Sequence, residues 1–141
     1  MSKVVSMRLK DGQVERLQRV ARRLGRSQSE TAALVLEEAL RQREFAFIEF
    51  RDSPAGRQAY LQGTRLAVWH VLWLYQQFGR DVERVAEQYE LPPVQLAAAL
   101  RYAEAYAEEI EAAMGDRAYN RDHLRELIPG LEIVHVDTSG L

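Results

Sequence analysis

VVSMRL, residues 4–9, alternates with the period of a β-strand and decides the fold of the first part of the chain. One face of this strand is apolar, with Val5, Met7 and Leu9. The other face carries Val4, Ser6 and Arg8. No partner strand lies nearby in the sequence, and unpaired backbone groups are costly. We therefore expect the strand to pair with the same strand of a second chain.

Two amphipathic helices are predicted directly after this strand. Asp11 is expected to cap the first helix, and Gly25 is expected to end it. Ser27 and Glu30 have the spacing of a capping box at the start of the second helix, which extends to about Phe45. The predicted order is therefore strand, helix, helix.

The charge of the chain is distributed unevenly. Residues 1–26 hold eight Lys or Arg against two Asp or Glu, whereas residues 51–141 hold nine Arg against fourteen Asp or Glu. A basic head joined to an acidic body indicates two modules with different partners. The head can approach a polyanion, and the body is poorly suited to do so.

The body is predicted to be a short hairpin followed by helices. A turn-rich loop at 52–56 separates the two strands, and Gly79 ends an apolar helix that follows Thr64. Asp81 is expected to cap a short helix, and Pro93 to begin a long one that extends to about Met114. The remaining predicted elements are a short helix at 122–127 and a strand at 131–136.

Composition excludes several classes of protein. The 141 residues include no cysteine, so disulfides, thiolate metal sites and cysteine nucleophiles are ruled out. The N-terminus is too polar for a signal peptide, and no apolar run has membrane length, so we expect a soluble cytoplasmic protein without a membrane partner. The histidines at 70, 123 and 135 are widely separated, and we expect no enzyme activity, cofactor or metal.

Residues 3–43 resemble a ribbon-helix-helix DNA-binding domain of the Arc/MetJ class. The resemblance is carried by the alternating strand, the amphipathic helix and the turn Gly25-Arg26-Ser27-Gln28-Ser29-Glu30. It implies an intertwined dimer whose β-ribbon enters the major groove, with amides at the start of the second helix on a phosphate. Lys10 stands where the family commonly has proline. The candidate DNA-binding residues are Val4, Ser6, Arg8, Lys10, Ser27, Gln28 and Ser29.

The segment from Phe47 to about Met114 resembles a small bacterial domain of unknown function that is often found in antitoxin-like proteins. Its hallmark is Gly63-Thr64-Arg65-Leu66-Ala67-Val68-Trp69, although His70 replaces the usual acid and Gln62 the usual basic residue. The last two helices have a helix-turn-helix pattern. Four carboxylates follow the second of them, which favours packing or subunit assembly over a second DNA-reading role.

Together the two resemblances imply an antitoxin similar to the VapB type, with operator DNA and a PIN-like ribonuclease toxin as partners. The expected fold is mainly α with short β elements. The expected domains are a dimeric ribbon-helix-helix at 1–45, a three-helix, helix-turn-helix-like body with an N-terminal hairpin at 46–115, and a toxin-binding segment at 116–141. The candidate toxin-binding residues are Arg117, Arg121, Arg125, Ile133 and Val134.

Two other interpretations stay open. In the first, the chain is a free-standing dimeric or tetrameric transcriptional regulator whose body only oligomerises. In the second, weaker one, it is a structural scaffold without DNA activity.

Overall fold

In a computed structural model of the chain, residues 2–115 are described. They separate into two compact units, with the boundary between Arg43 and Glu44. The described residues form six helices and one two-stranded antiparallel hairpin. The prediction of a mainly helical protein with short β elements is confirmed at this level.

The first unit is built from two helices, α1 (Asp11–Leu24) and α2 (Gln28–Glu44). Residues 2–10 precede them without helix or strand. Gly25 ends α1 in the left-handed conformation, with φ of 65° and its amide bonded to the last turn, as predicted. Ser27 begins α2, because its hydroxyl accepts the Glu30 amide at 3.1 Å, and this part of the capping box is also confirmed.

The prediction that Asp11 caps α1 is wrong by one residue. Lys10 is the cap: its backbone is extended, its amide donates to Oε1 of Gln13 at 2.9 Å, and its carbonyl accepts the Gln13 and Val14 amides. Asp11 lies in the first turn instead, where a negative charge suits the helix dipole. The Gln13 side chain thus accepts the amide of the cap residue itself, whereas a capping Asp11 carboxylate would have accepted amides of the first helical turn.

The first unit has almost no interior of its own. Among residues 2–43, only Ala21 and Thr31 are buried. Thr31 donates its hydroxyl to the Ser27 carbonyl at 2.8 Å. On α2, Leu36 and Leu40 remain 50% and 52% exposed. The apolar side chains of this unit thus have little to pack against within one chain.

The second unit begins with the hairpin formed by β1 (Ile48–Ser53) and β2 (Gly56–Leu61). The register pairs Ile48 with Leu61 at one end and Ser53 with Gly56 at the other. Pro54 pre-sets φ for the turn, and Gly56 takes the φ of 103° that the returning strand needs. The predicted hairpin is confirmed, and its strands extend into the predicted loop at 52–56, of which only Pro54 and Ala55 lie outside β1 and β2.

Four helices complete the second unit: α3 (Val68–Gln77), α4 (Val82–Tyr89), α5 (Pro93–Ala105) and α6 (Ala107–Gly115). The side chain of Asp81 accepts the Glu83 and Arg84 amides, so its predicted capping role is confirmed, and Pro93 opens α5 as expected. α3 and α5 pack together and contribute most of the core. Its largest fully buried side chain is Tyr102.

The prediction of one long helix from Val94 to Met114 is wrong, because the chain bends at Tyr106. This residue has φ of −120° and ψ of 46°, outside the helical range, although its amide still donates to the Tyr102 carbonyl. Its ring packs 4.8 Å from Tyr102 and 5.8 Å from Phe45. The bend allows these aromatic contacts while Ile110 of α6 is also buried. The predicted elements at 122–127 and 131–136 lie outside the described residues.

Candidate nucleic-acid interface

The N-terminal segment presents both of its faces to solvent. Val4 is 95% exposed and Met7 is 65% exposed, although the alternation places them on opposite faces. Ser6, Arg8 and Lys10 are exposed as well. A β-ladder requires a second strand, and none of the described residues supplies one to this segment. The segment is therefore open along its whole length.

The start of α2 offers two backbone amides. Ser27 holds the Glu30 amide, and the Ser27 carbonyl accepts the Thr31 amide. The first four amides of a helix have no carbonyl partner inside it. Those of Gln28 and Ser29 consequently face outward, and both residues are exposed. This is the geometry in which a helix N-terminus binds an anion.

The basic residues of the first unit form an uncompensated positive surface. All eight Lys and Arg between residues 2 and 26 are exposed, and none forms an ion pair with another described residue. Arg16 donates through Nε only to the Gly12 carbonyl of its own helix, at 3.3 Å. The positive charge is therefore available to an external polyanion.

The second unit has a different surface character. α4 and α5 are joined by a short turn in which Glu90 adopts the left-handed conformation, with φ of 53°. The inner side of α5 is committed to the core through Leu96, Ala99, Tyr102 and Ala103. Its Gln95 is partly buried and Arg101 is exposed, while exposed carboxylates follow at Glu104, Glu108, Glu109 and Glu111. This arrangement favours packing over contact with phosphates.

The hallmark turn of the second unit is held by Thr64 and Arg51. The Thr64 hydroxyl donates to the Leu61 carbonyl at 2.8 Å and accepts the Leu66 amide at 3.0 Å. Nη1 of Arg51 donates to the Thr64 carbonyl at 2.7 Å, and its guanidinium lies 4.8 Å from the centre of the Tyr60 ring. Arg51 was not singled out from the sequence. The one sequence feature that could have identified Arg51 is its spacing from Glu49, which lies two residues earlier on the same face of the strand.

Trp69, His70 and Trp73 form an aromatic cluster on α3. The His70 ring stacks on Trp69 with centroids 5.2 Å apart and lies 6.1 Å from Trp73. Burial lowers the pKa of His70 below its usual value of 6.5, because the charged form loses hydration. Its chemistry is thus that of a neutral imidazole packed between indoles.

A cleft of about 210 Å³ opens beside Trp69, between the hairpin and α6. Ala59 and Ile110 form part of its apolar lining, and Arg57 and Glu109 provide polar groups. Glu109 also accepts a hydrogen bond from the buried Tyr102 hydroxyl at 3.1 Å. The cleft is small, and its charged groups already contact their own chain.

The candidate toxin-binding residues lie outside the described part of the chain, at Arg117, Arg121, Arg125, Ile133 and Val134.

Within residues 2–115, no three His, Asp or Glu side chains are grouped closely enough to hold a metal ion. No helix in the described range is both long and apolar enough to cross a membrane.

Comparison with protein families finds a match in the second unit. Residues 48–103 match the model of a family described as a protein of unknown function, DUF433. The match begins with the first residue of β1 and ends within α5, so it covers the hairpin, α3, α4 and most of α5. The resemblance of the body to a domain of unknown function is confirmed over this range. No curated protein and no solved structure matches the chain.

Proposed function

We propose that this chain is an antitoxin of a type II toxin–antitoxin pair, similar to the VapB type. Residues 2–43 form a ribbon-helix-helix dimer that represses the antitoxin's own operon. The C-terminal portion neutralises a PIN-like ribonuclease toxin. The body, residues 44–115, links these two activities.

The observation that carries the proposal is the missing interior of the first unit. A 43-residue unit is close to the lower size limit for independent folding, and below that limit oligomerisation is a common solution. Val5, Met7 and Leu9 lie on one face of the N-terminal segment, and α2 exposes Leu36 and Leu40. A second copy supplies both the missing strand and the missing core.

The polar side of the same dimer suits DNA. When the two strands pair edge to edge and their apolar face packs against the helices, Val4, Ser6 and Arg8 of both copies lie on one outer surface. A two-stranded ribbon fits the major groove, where Arg binds guanine in bidentate fashion. The open amides of Gln28 and Ser29 and the unpaired basic residues then supply phosphate contacts.

The toxin-binding part of the proposal rests on the resemblance and on sequence chemistry. A PIN-like nuclease gathers carboxylates around a divalent metal, and a guanidinium complements such a negative site. Residues 116–141 contain three Arg and an apolar strand-like stretch at 131–136 that is suited to β-augmentation.

DNA binding is tested with fluorescence anisotropy on the duplex directly upstream of this chain's gene, against a scrambled duplex of equal length. We expect tighter binding to the upstream duplex and a steep loss of affinity as salt rises. Gln28→Pro removes one outward amide at the first helical position, which tolerates proline, and is expected to weaken binding to both duplexes. Gln28→Ala keeps the amide and is the matched control. Equal, salt-independent affinity for both duplexes would contradict the proposal.

Toxin binding is tested by co-expression with the neighbouring gene. We expect the two products to co-purify, and deletion of residues 116–141 to release toxin activity while operator binding persists. Operator binding without any captured neighbour would favour the free-standing regulator. Full neutralisation by the truncated chain would place the toxin contact in the body instead.

A further inference from the structure

Helix α1 carries arginines on the side that faces away from its buried residue. Arg16, Arg19 and Arg23 are all exposed. At about 100° per residue they lie within about 60° of one another and about 140–160° from Ala21, which is buried. Arg26 follows the helix in sequence and is exposed as well. We call these four residues the arginine stripe.

The charge of the arginine stripe is not neutralised within the first unit. Glu15 is the one carboxylate between residues 12 and 26. Among the described residues, no ion pair includes Glu15 or any member of the stripe. Arg16 donates only to the neutral Gly12 carbonyl. The stripe therefore keeps its positive charges for an external anion.

The stripe ends at the turn that leads into α2. The Arg26 amide donates to the Ala21 carbonyl at 3.1 Å, which fixes Arg26 to the last turn of α1. Ser27 follows directly, and the open amides of Gln28 and Ser29 come next. Guanidinium groups and outward amides, two kinds of group that bind phosphates, therefore adjoin each other in this unit.

The length of the stripe fits a phosphate backbone. Seven residues separate Arg16 from Arg23, which corresponds to about 10 Å along the helix axis. Phosphates of one DNA strand follow each other at about 3.4 Å along the duplex axis, so a strand lying along α1 presents about three of them. Arginine binds phosphate oxygens in bidentate fashion. This regular spacing favours DNA over an acidic protein as the partner of the stripe.

We propose that the arginine stripe binds the phosphate backbone of duplex DNA that flanks the bases contacted by Ser6 and Arg8. This contact rests on the function proposed for residues 2–43 and extends it. One phosphate lies on the amides of Gln28 and Ser29, and about three more of the same strand follow along α1. Each copy in the dimer supplies one stripe, so the bound duplex extends beyond the ribbon at both ends. The stripe adds affinity without base discrimination, because phosphates are the same in every sequence.

The salt dependence of DNA binding tests the stripe. The full chain is titrated with the duplex directly upstream of its gene and with the scrambled duplex. Arg19→Gln removes one stripe charge per copy and introduces another good helix former, so helical circular dichroism should not change. Loss of two phosphate contacts per dimer is expected to reduce the slope of log affinity against log salt by about 2. Affinity is expected to fall by the same factor on both duplexes.

Arg43→Gln is the matched control, because it removes the same charge from an exposed position in the last turn of α2. Arg43 lies sixteen residues after Ser27, about 24 Å along the helix. We expect its salt slope to equal that of the unmodified chain. Equal slopes for Arg19→Gln and Arg43→Gln would overturn the proposal and leave an acidic protein as the better partner for the stripe.

Neutral methylphosphonate linkages locate the contact on the DNA. Groups of three are placed in turn along each strand of the upstream duplex. Affinity is measured for the unmodified chain and for the triple variant Arg16→Gln, Arg19→Gln, Arg23→Gln. We expect flanking linkages that weaken binding of the unmodified chain and have no effect on the triple variant. Additive losses at every position would contradict the contact.

Failure of operator recognition gives a different result from failure of the stripe. If the unmodified chain binds both duplexes equally and Arg19→Gln still lowers the salt slope, the stripe contact is supported and the proposed operator is contradicted. If the unmodified chain prefers the upstream duplex and Arg19→Gln behaves like Arg43→Gln, the operator is supported and the stripe contact is rejected.

Discussion

The two described units differ most in where their apolar side chains lie. Residues 44–115 enclose a core around Tyr102 that includes Leu61, Val71 and Leu96. Residues 2–43 bury only Ala21 and Thr31 and leave Met7 and Leu40 largely in solvent. The second unit therefore has a core within one chain, whereas residues 2–43 enclose almost none, and the dimer proposed above is our explanation for that difference.

The chain itself provides a way to observe the two units separately. Both tryptophans, Trp69 and Trp73, and all six tyrosines follow residue 43. Tryptophan fluorescence therefore reports only on the second unit, while helical circular dichroism reports on both.

The largest expected effect comes from Met7→Lys. It places a charge in the proposed two-chain core, and an unpaired buried charge costs far more than such a small domain can offset. We expect loss of the dimer formed by residues 2–43 and loss of helical signal, with tryptophan fluorescence unchanged. Light scattering and circular dichroism measure these outcomes.

Val4→Lys is the matched control for Met7→Lys, since Val4 lies on the other face of the same segment and is almost fully exposed. We expect it to leave folding of the first unit intact. If the unmodified chain is a folded monomer at micromolar concentration, or if both variants behave alike, the two-chain core does not exist.

In the second unit, Tyr102→Ala is expected to lower the free energy of unfolding by about 3–5 kcal/mol, because truncating a buried aromatic residue leaves a cavity. The ring is fully buried and packs against Phe45 at 5.3 Å. Urea unfolding followed by tryptophan fluorescence measures the loss.

Tyr102→Phe separates packing from hydrogen bonding. It removes only the hydroxyl that donates to Glu109, so the expected loss is about 1 kcal/mol. Equal losses for Tyr102→Ala and Tyr102→Phe would show that the core around this ring is not the main source of stability in the second unit.

Local signals predicted the second unit well wherever one residue decides the backbone. Asp81 caps α4, Pro93 opens α5, and the turn around Pro54 and Gly56 closes the hairpin, each through short-range geometry visible in the sequence. The bend at Tyr106 was missed because neither Gly nor Pro marks it. It depends on packing against Phe45, 61 residues earlier in the sequence.

For the candidate site, the sequence predicted the local roles of residues at the helix ends better than it predicted contacts between residues far apart in the chain. Ser27 and Gly25 take their expected positions at the helix ends. The predicted ribbon stays a prediction, because its hydrogen bonds lie between two chains and one chain cannot form them. The contact of Arg51 with Thr64 was also beyond reach, since it joins residues 13 positions apart through a loop carbonyl.

A smaller effect is expected for Arg8→Ala, on DNA binding rather than folding. A bidentate contact between Arg and guanine contributes roughly 1–3 kcal/mol of discrimination, so affinity for the upstream duplex is expected to fall about 5- to 150-fold. Affinity for the scrambled duplex should fall much less. Equal loss on both duplexes would assign Arg8 to the phosphate backbone and leave base recognition to Ser6.

The smallest expected effect is a pH dependence of the second unit's stability that arises from His70. Burial lowers the pKa of His70 in the folded chain, whereas in the unfolded chain it titrates near 6.5. As the pH falls below 6.5, the unfolded state therefore binds the proton more readily, and stability is lost until the pH passes the folded pKa. Urea unfolding monitored by tryptophan fluorescence between pH 7.5 and 5.5 is expected to show this loss, and His70→Gln should reduce it. The carboxylates and the other two histidines are common to the unmodified chain and the His70→Gln variant. The difference between the pH profiles of these two proteins therefore isolates His70. Parallel profiles would show that His70 is protonated as easily in the folded chain as in the unfolded one.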